Sequence, residues 1–315
     1  MHPAPSIIFF TVASGAGYGL LFLLGLAAPL GLIPSERWLG LAGMALALGA
    51  ITLGLLASTL HLGHPERAWR AVTQWRTSWL SREGVMALIT YAPALVFGFG
   101  WVALERTGGW FALLGVLSAA GAVLTVGCTA MIYASLKPVR AWRHPLVPPV
   151  YLTLALMTGA LVCHALLAAF GLPRALAGWL ALLATIAGLG LKAGYWRAVA
   201  DERGASTPES ATGLGELGLV RLLDPPHTET NYLLDEMGYR VARKHAGRLR
   251  RLGYALAFVA PALLTVLALL ATGLLATTLA WLAALLGLAG VLIERWLFFA
   301  EAKHTVTLYY GSRAA

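Results

Sequence analysis

Residues 252–293 read LGYALAFVAPALLTVLALLATGLLATTLAWLAALLGLAGVLI, and this stretch contains no charged side chain. A transmembrane helix needs about 20 apolar residues to cross a hydrocarbon core about 30 Å thick. The stretch is too long for one such helix and suits two, with a break near Gly273–Thr278. It therefore predicts a pair of membrane-spanning helices in the last quarter of the chain.

Comparable apolar runs fill most of the remaining sequence, and they predict six earlier spans. These are about Ser6–Leu32, Trp38–Leu62, Gly84–Leu104, Gly109–Leu136, a span between Arg143 and Arg174, and Ala175–Tyr195. Only 12% of the 315 residues are charged, about half the usual share in a soluble protein. The runs are continuous rather than alternating, which excludes a membrane β-barrel. We therefore expect an all-α polytopic membrane protein, a bundle of about eight transmembrane helices forming a single domain over residues 1–315.

Basic residues are concentrated in alternate loops between the predicted spans. The second loop carries Arg67, Arg70, Arg76 and Arg82 and the fourth Lys137, Arg140 and Arg143, whereas the odd-numbered loops carry Arg37, Arg106 and Arg174. The positive-inside rule then places the even-numbered loops and both termini in the cytoplasm, for a multi-pass protein of the inner membrane. The first span has no Lys or Arg and no cleavage-site pattern before it, so we expect a retained helix rather than a signal peptide.

The sixth loop, residues 197–251, is the largest predicted extramembrane segment. It contains nine basic and eight acidic residues, and it is as consistent with a docking surface as with a solvated linker. The net charge is +9, and most of the basic residues lie in loops beside apolar spans. That placement favours contact with lipid headgroups over nucleic acid, so no nucleic-acid partner is expected.

The densest group of polar and aromatic side chains lies between the second and third spans. It comprises His61, His64, Glu66, Arg67, Trp69, Arg70, Trp75, Arg76, Trp79, Arg82 and Glu83. Ionisable groups at membrane depth are costly unless they are paired or used. One interpretation is a quinone pocket, in which a histidine donates a hydrogen bond to a quinone carbonyl and a carboxylate relays a proton. The other is a basic interfacial loop that sets topology and binds headgroups, and these residues alone leave both open.

Two motifs in this region resemble the membrane anchor subunits of the dimethyl sulfoxide reductase family. They are His61-Leu-Gly-x-Pro-x-Arg67-Ala and Leu80-Ser-x-Glu83. Residues 1–19, 131–138, 230–239 and 294–304 are similar to one branch of these anchors, and polysulfide and nitrite reductase anchors are more distantly similar. The resemblance implies an anchor that holds a molybdopterin catalytic subunit and an iron–sulfur subunit on the membrane. Such an anchor exchanges electrons between the nearest iron–sulfur cluster and the quinone pool, either ubiquinone or menaquinone.

The resemblance also implies roles for individual residues. His61 and Glu83 match the family's quinone-site histidine and glutamate, and Arg67 matches its loop arginine. His64 stands where the family has a small polar residue, so it is either a second proton-transfer group or an incidental surface histidine. For docking of the partner subunits, the candidate residues on the same face are Trp69, Arg70, Trp75, Arg76 and Arg140.

The predicted orientation narrows the choice of partner. A His61 face on the cytoplasmic side resembles the arrangement in the membrane-bound sulfite dehydrogenases, whose catalytic subunits are cytoplasmic. These enzymes pass electrons from sulfite to quinone. The alternatives are an anchor of a dimethyl sulfoxide or polysulfide type reductase that runs from quinol to substrate, a purely structural anchor, and a transporter. The sequence shows no convincing internal repeat, which disfavours the transporter.

Other cofactor sites receive little support from the sequence. Cys128 and Cys163 both lie inside apolar runs, which excludes a disulfide framework or a CxxC metal site. A bis-histidine haem needs two histidines at similar depth, and none shares the predicted depth of His164, so no haem is expected. Molybdopterin and iron–sulfur clusters are expected only in partner subunits. The adjacent Glu294 and Arg295 either form structural ion pairs with neighbouring residues, the favoured interpretation, or close the quinone cleft with Glu301 and His304.

Overall fold

The computed structural model describes residues 4–60, 62–200, 205–224, 226 and 241–315, without the side chains of 241–244. Within these ranges, eight helices are long and apolar enough to cross a membrane. They are α1 (Pro5–Ala27), α2 (Arg37–Thr59), α3 (Trp79–Leu104), α4 (Trp110–Ala134), α5 (Val147–Ala169), α6 (Ala175–Ala200), α8 (Val241–Tyr254, then a π-helical turn at Ala255–Val259, then Ala260–Leu270) and α9 (Gly273–Ala300). A short helix, α7 (Pro208–Thr212), lies between α6 and α8. The predicted all-α bundle of about eight spans is confirmed.

Helices α1 and α5 form the centre of the bundle. In their membrane-spanning segments 67% and 72% of the residues are buried, against at most 39% in each of the other six spans. The outer helices expose leucine, valine and phenylalanine side chains, which suits contact with lipid tails. Because α1 packs against α2, α4, α5 and α9, side chains from several helices can meet in the interior beside it.

Glycine allows the central helices to approach at backbone contact. A Cβ atom on Gly25 of α1 would lie 2.5 Å from the carbonyl oxygen of Gly115 of α4, and one on Gly115 would lie 2.7 Å from that of Gly25. Any larger residue at either position would push the helices apart. Small residues at helix crossings are the usual means of close packing in lipid, where dispersion contacts hold helices together.

The loops form two distinct ends of the bundle, as the alternating topology requires. At one end the backbone N–H of Thr305 donates to Pro138, and Ser206 and Ala315 exchange two backbone hydrogen bonds. We call this end, which carries residues 62–78, 135–146, 205–224 and 301–315, the basic end. At the opposite end Arg37 pairs with Glu105 at 3.3 Å.

Two predicted boundaries were wrong in ways that matter for the site. Helix α3 begins at Trp79 rather than near Gly84, because Ser78 caps it by accepting a hydrogen bond from the N–H of Ser81. Glu83 therefore lies inside the helix and not in the preceding loop. The break between α8 and α9 lies at Ala271–Thr272, just before the predicted segment, and Gly273 starts α9 with φ of +58°.

Candidate functional site

The loop between α2 and α3 folds back onto the start of α3. Residues Pro65–Gln74 form a 3₁₀ helix, and the Ser81 hydroxyl donates to the carbonyl of Ala71. Arg82 donates to the carbonyls of Trp75 and Arg76, at 2.9 and 2.8 Å. These bonds satisfy carbonyls at the end of the loop and fix it against the helix that carries Glu83.

The loop residues predicted for the quinone site are exposed at the basic end. His64 Nδ1 lies 3.0 Å from Glu66 Oε1, and Arg67 Nε lies 3.7 Å from the same oxygen. All three side chains are more than half exposed, so these contacts add little stability. His61 lies outside the described residues.

The predicted docking residues divide between two places. Four of them lie in the exposed loop: Trp69, Arg70, Trp75 and Arg76. The Cζ atom of each arginine lies over the ring of the preceding tryptophan, 5.4 Å from the Trp69 centroid and 5.5 Å from the Trp75 centroid. Arg140 instead lies between α4 and α5, where it lines a separate cavity of about 250 Å³ at the basic end.

Glu83 is the predicted site residue that the structure buries. Its side chain is 4% exposed, one turn inside α3, and it accepts a hydrogen bond from the hydroxyl of Thr129 on α4. Among the residues that the structure describes, no lysine or arginine forms an ion pair with it. A carboxylate in such surroundings is stabilised by protonation or by a ligand that supplies a proton donor.

A second polar group lies near Glu83 on the central helix. Tyr18 of α1 is 2% exposed, and its hydroxyl has no hydrogen-bond partner of normal geometry among the described residues. It is close enough to interact electrostatically with Glu83 and with Tyr91 of α3, and the Thr125 side chain is also near. A buried hydroxyl without a well-formed hydrogen bond costs free energy. A ligand that reaches the Tyr18 hydroxyl would therefore gain a hydrogen bond.

The structure therefore brings together only part of the predicted site. His64 and Arg67 meet through Glu66 in the exposed loop, and Glu83 meets Thr129 in the interior. Glu83 shares the basic end with the loop, which is fixed to its helix through Ser81 and Arg82. Sequence reasoning missed both Thr129 and Tyr18, because a hydroxyl in an apolar span gives no local signal of its partner.

A cluster of three buried charges lies near the same end, between α6 and α9. Lys192 Nζ forms an ion pair with Glu294 Oε1, and Arg295 Nε lies 3.5 Å from Glu294 Oε2. All three residues are at most 2% exposed. The favoured interpretation of Glu294 and Arg295 as paired residues is thus confirmed. Lys192 was missed, although a lysine inside an otherwise apolar span is itself a signal of a special role.

Two further histidines contact backbone groups near the ends of helices. His164 is fully buried at the opposite end, and its Nδ1 lies 3.2 Å from the carbonyl oxygen of Arg174. His304, just after α9, accepts a hydrogen bond from the N–H of Val306 through Nδ1 at 3.0 Å. Partial burial lowers the pKa of His304, which favours its neutral form.

Comparison with known proteins gives two concordant results. Residues 1–311 match the family described as DMSO reductase anchor subunit (DmsC). The chain is also 35% identical to a subunit of the sulfite dehydrogenase of Allochromatium vinosum, in an alignment of 329 positions that covers 100% of both chains. Both similarities extend over essentially the whole bundle.

Proposed function

The chain belongs to the family of DMSO reductase anchor subunits, and on this premise we propose that it exchanges electrons with the quinone pool. As a membrane anchor, it holds the soluble subunits of an oxidoreductase complex at the basic end. Its partners are an iron–sulfur subunit and a molybdopterin catalytic subunit, and the electrons pass between the nearest iron–sulfur cluster and a quinone. Molybdopterin and the clusters belong to those partners.

The observation that carries this proposal is the environment of Glu83. A buried carboxylate with a hydroxyl as its described partner is suited to gaining and losing a proton. Conversion of a quinone to a quinol requires two electrons and two protons. Glu83 supplies one proton-transfer group, and the hydroxyl of Tyr18 supplies a hydrogen-bond donor at a second point. The donor set of this chain therefore fits a quinone headgroup.

We assign the remaining roles to residues of the loop before α3, of which His61 lies outside the described residues. His61 is the second proton-transfer group, and Arg67 and His64 hold the polar rim through Glu66. Trp69, Arg70, Trp75, Arg76 and Arg140 form the docking surface for the iron–sulfur subunit. Their positive charge and exposed aromatic rings suit an acidic partner surface.

The excess of basic residues at this end supports a cytoplasmic location for it. A cytoplasmic catalytic subunit and the similarity to a sulfite dehydrogenase subunit together favour sulfite as the electron donor and quinone as the acceptor. The complex is then a sulfite:quinone oxidoreductase of the inner membrane, with both termini of the anchor inside.

The test uses two variants, His61→Ala and Glu83→Gln, in the assembled complex. Sulfite oxidation is measured with a water-soluble quinone and, separately, with an artificial dye that accepts electrons from the soluble subunits. We expect each variant to lose about 100-fold or more of quinone-linked turnover, the usual size of a general acid–base contribution, and to keep dye-linked turnover. His164→Gln, a buried change at the opposite end, is the matched control and keeps both activities.

Other outcomes separate the alternatives. Full quinone-linked activity in both variants would show that the quinone site is elsewhere. A parallel loss of both activities, with loss of molybdenum and iron from the purified complex, would indicate a purely structural anchor. Reduction of dimethyl sulfoxide or polysulfide by quinol, without sulfite oxidation, would assign the complex to the reductase direction.

A further inference from the structure

We propose that the buried Lys192–Glu294–Arg295 cluster is the inner part of a proton pathway that joins the basic end to Glu83. This inference rests on the proposed function, because it assigns a proton route to the same quinone site. The proposed pathway passes between helices, and does not use the exposed loop that precedes α3. Five structural observations support it.

The entrance is the cavity of about 250 Å³ at the basic end, which Glu301, Arg250 and His144 help to line. Glu301 pairs with Arg250 at 2.9 Å. It follows Glu294 by seven residues, which places the two carboxylates on one face of the helix, about 10 Å apart along its axis. A carboxylate at a cavity mouth thus stands directly above the buried one.

The buried cluster has the charge balance of a proton donor. Arg295 stays protonated under all ordinary conditions, so Lys192 and Glu294 are the titratable pair. With Lys192 and Arg295 charged and Glu294 ionised, the cluster carries one net positive charge in a site at most 2% exposed. When Lys192 releases a proton, the remaining Arg295–Glu294 pair is neutral. Burial favours that release, because a net charge is unfavourable in a low-dielectric interior.

Lys192 also has an aromatic surround that leads back toward the entrance. Its Nζ lies 4.0 Å from the ring centroid of Tyr195 and 4.8 Å from that of Trp196. The Tyr195 ring contacts the ring of His144 edge-on, with centroids 5.8 Å apart. The Tyr195 ring therefore contacts both the amine and His144, which lines the entrance cavity.

The inner end of the cluster opens onto a small polar cavity beside the central helices. This cavity measures about 10 Å³, close to the space that one water molecule needs. Its polar lining comes from four helices and consists of Thr11, Ser14, Thr129, Tyr151, Thr158 and Arg295. The hydroxyl of Tyr151 and Nη1 of Arg295 have no hydrogen-bond partner among the described residues. They are buried donors available to a water molecule at this point.

Thr129 connects the cavity to Glu83. Thr129 lines the cavity and its hydroxyl donates to Glu83 Oε1, so one residue touches both the proposed water site and the proposed proton-transfer group. In the direction of quinone reduction, two electrons come from the reduced iron–sulfur clusters of the partner subunit and two protons enter from the basic end. A proton that leaves Glu83 for a quinone oxygen is replaced from Lys192 and Glu294, which are recharged through Glu301. Quinol oxidation runs the same transfers in reverse.

The first test needs no quinone and follows the Glu83 carboxyl group itself. Infrared spectra of the purified complex at acidic pH contain the C=O band of protonated Glu83, which is identified by its loss in Glu83→Gln. After transfer to D₂O, the band shifts as the proton is exchanged. We expect the double variant Lys192→Met/Glu294→Gln to slow this exchange about 10-fold or more. The double variant keeps the net charge of the cluster at one positive charge, which Arg295 then carries without its carboxylate partner.

A second, isosteric variant guards against indirect effects of the double change. Tyr151→Phe removes one hydroxyl from the small cavity and leaves the ring packing intact, and we expect it to slow the exchange as well. Tyr254→Phe removes a hydroxyl from an α8 residue that lies outside the cavity lining and leaves the exchange rate unchanged. If the Glu83 proton exchanges at the wild-type rate in both Lys192→Met/Glu294→Gln and Tyr151→Phe, the proposal is overturned.

Turnover provides the second readout. In the double variant we expect quinone-linked sulfite oxidation to fall about 10-fold and to recover when a small weak acid such as formate is added, because it carries protons into the cavity. A loss that formate does not relieve would indicate a structural role and would count against the pathway. Full quinone-linked activity in Glu83→Gln would refute the quinone site, whereas the exchange experiment would still decide whether the pathway exists.

Discussion

Glu83 and Glu294 are both buried carboxylates toward the basic end of the bundle, yet their surroundings differ. Glu294 lies between Lys192 and Arg295, whereas the partner of Glu83 among the described residues is the hydroxyl of Thr129. A buried carboxylate between two cations is stabilised in its charged form and ties helices together. One beside a hydroxyl can be protonated at low cost. Removing the charge of Glu294 therefore disturbs two buried cations, whereas removing that of Glu83 disturbs one hydroxyl.

The largest expected effect comes from removing the charge of Glu294. Glu294→Leu leaves Lys192 and Arg295 buried without their counter-charge, which costs about 3–5 kcal/mol. We expect the variant to melt at a much lower temperature in detergent, or to be absent from membranes. The matched change, Glu83→Leu, leaves no uncompensated cation and is expected to lower the melting temperature far less. Equal melting temperatures for the two variants would remove the distinction between the carboxylates.

The next effect concerns the hydroxyl that contacts Glu83. Thr129→Val keeps the shape of the side chain and removes its hydrogen bond to Glu83, which is worth about 1–3 kcal/mol. We expect quinone-linked turnover to fall about 10-fold while dye-linked turnover is retained. Thr185→Val is the control, since the Thr185 hydroxyl is buried but donates to Ala181 within its own helix at 2.7 Å. If both valine variants lose quinone-linked turnover to the same extent, the Thr129–Glu83 contact has no special role.

Charges in the exposed loop are expected to matter for assembly and not for the fold. The double variant Arg70→Ala/Arg76→Ala changes stability by about 0.5 kcal/mol or less, as is usual for surface positions. We expect the iron–sulfur subunit to dissociate from this variant at a lower salt concentration than from the wild type, because exposed charge pairs are screened by salt. Arg106→Ala, at the opposite end, serves as the control. An unchanged salt profile in the double variant would argue against docking at this loop.

The smallest effect is expected at the opposite end of the bundle. Arg37 and Glu105 form an ion pair with both side chains about half exposed, and such pairs contribute about 1 kcal/mol or less. Arg37→Gln should therefore shift the melting temperature slightly and leave quinone-linked turnover unchanged. A large loss of turnover would mean that the opposite end takes part in the quinone reaction.

The helices themselves were predictable because a continuous apolar run of about 20 residues can span a membrane only as an α-helix. Spans such as α2 and α4 differ from their predicted bounds by only a few residues at each end. The start of α3 was wrong by five residues because Ser78 and Arg82 satisfy backbone groups that a hydropathy pattern does not register. That error had placed Glu83 at the edge of a loop instead of inside a helix.

The candidate site was predictable only in part, for a physical reason. A motif identifies Glu83 and Arg67 by their spacing, but it carries no information on which distant helix faces them. Thr129 lies 46 residues from Glu83 in the sequence, and Lys192 and Glu294 are separated by an even longer segment. The first pair arises where α3 packs closely against α4, with Gly121 of α4 against Thr90 of α3, and the second joins α6 to α9. Three-dimensional structure was therefore required to find them.

The most direct measurement is photoaffinity labelling of the intact complex with a photoreactive quinone, followed by mapping of the labelled peptides. We expect labelling of this chain within the segment from His61 to Tyr91, or around Thr129, with protection by excess unmodified quinone. Protectable labelling confined to the partner subunits, or to the opposite end of the bundle around Arg37 and Arg174, would contradict this expectation.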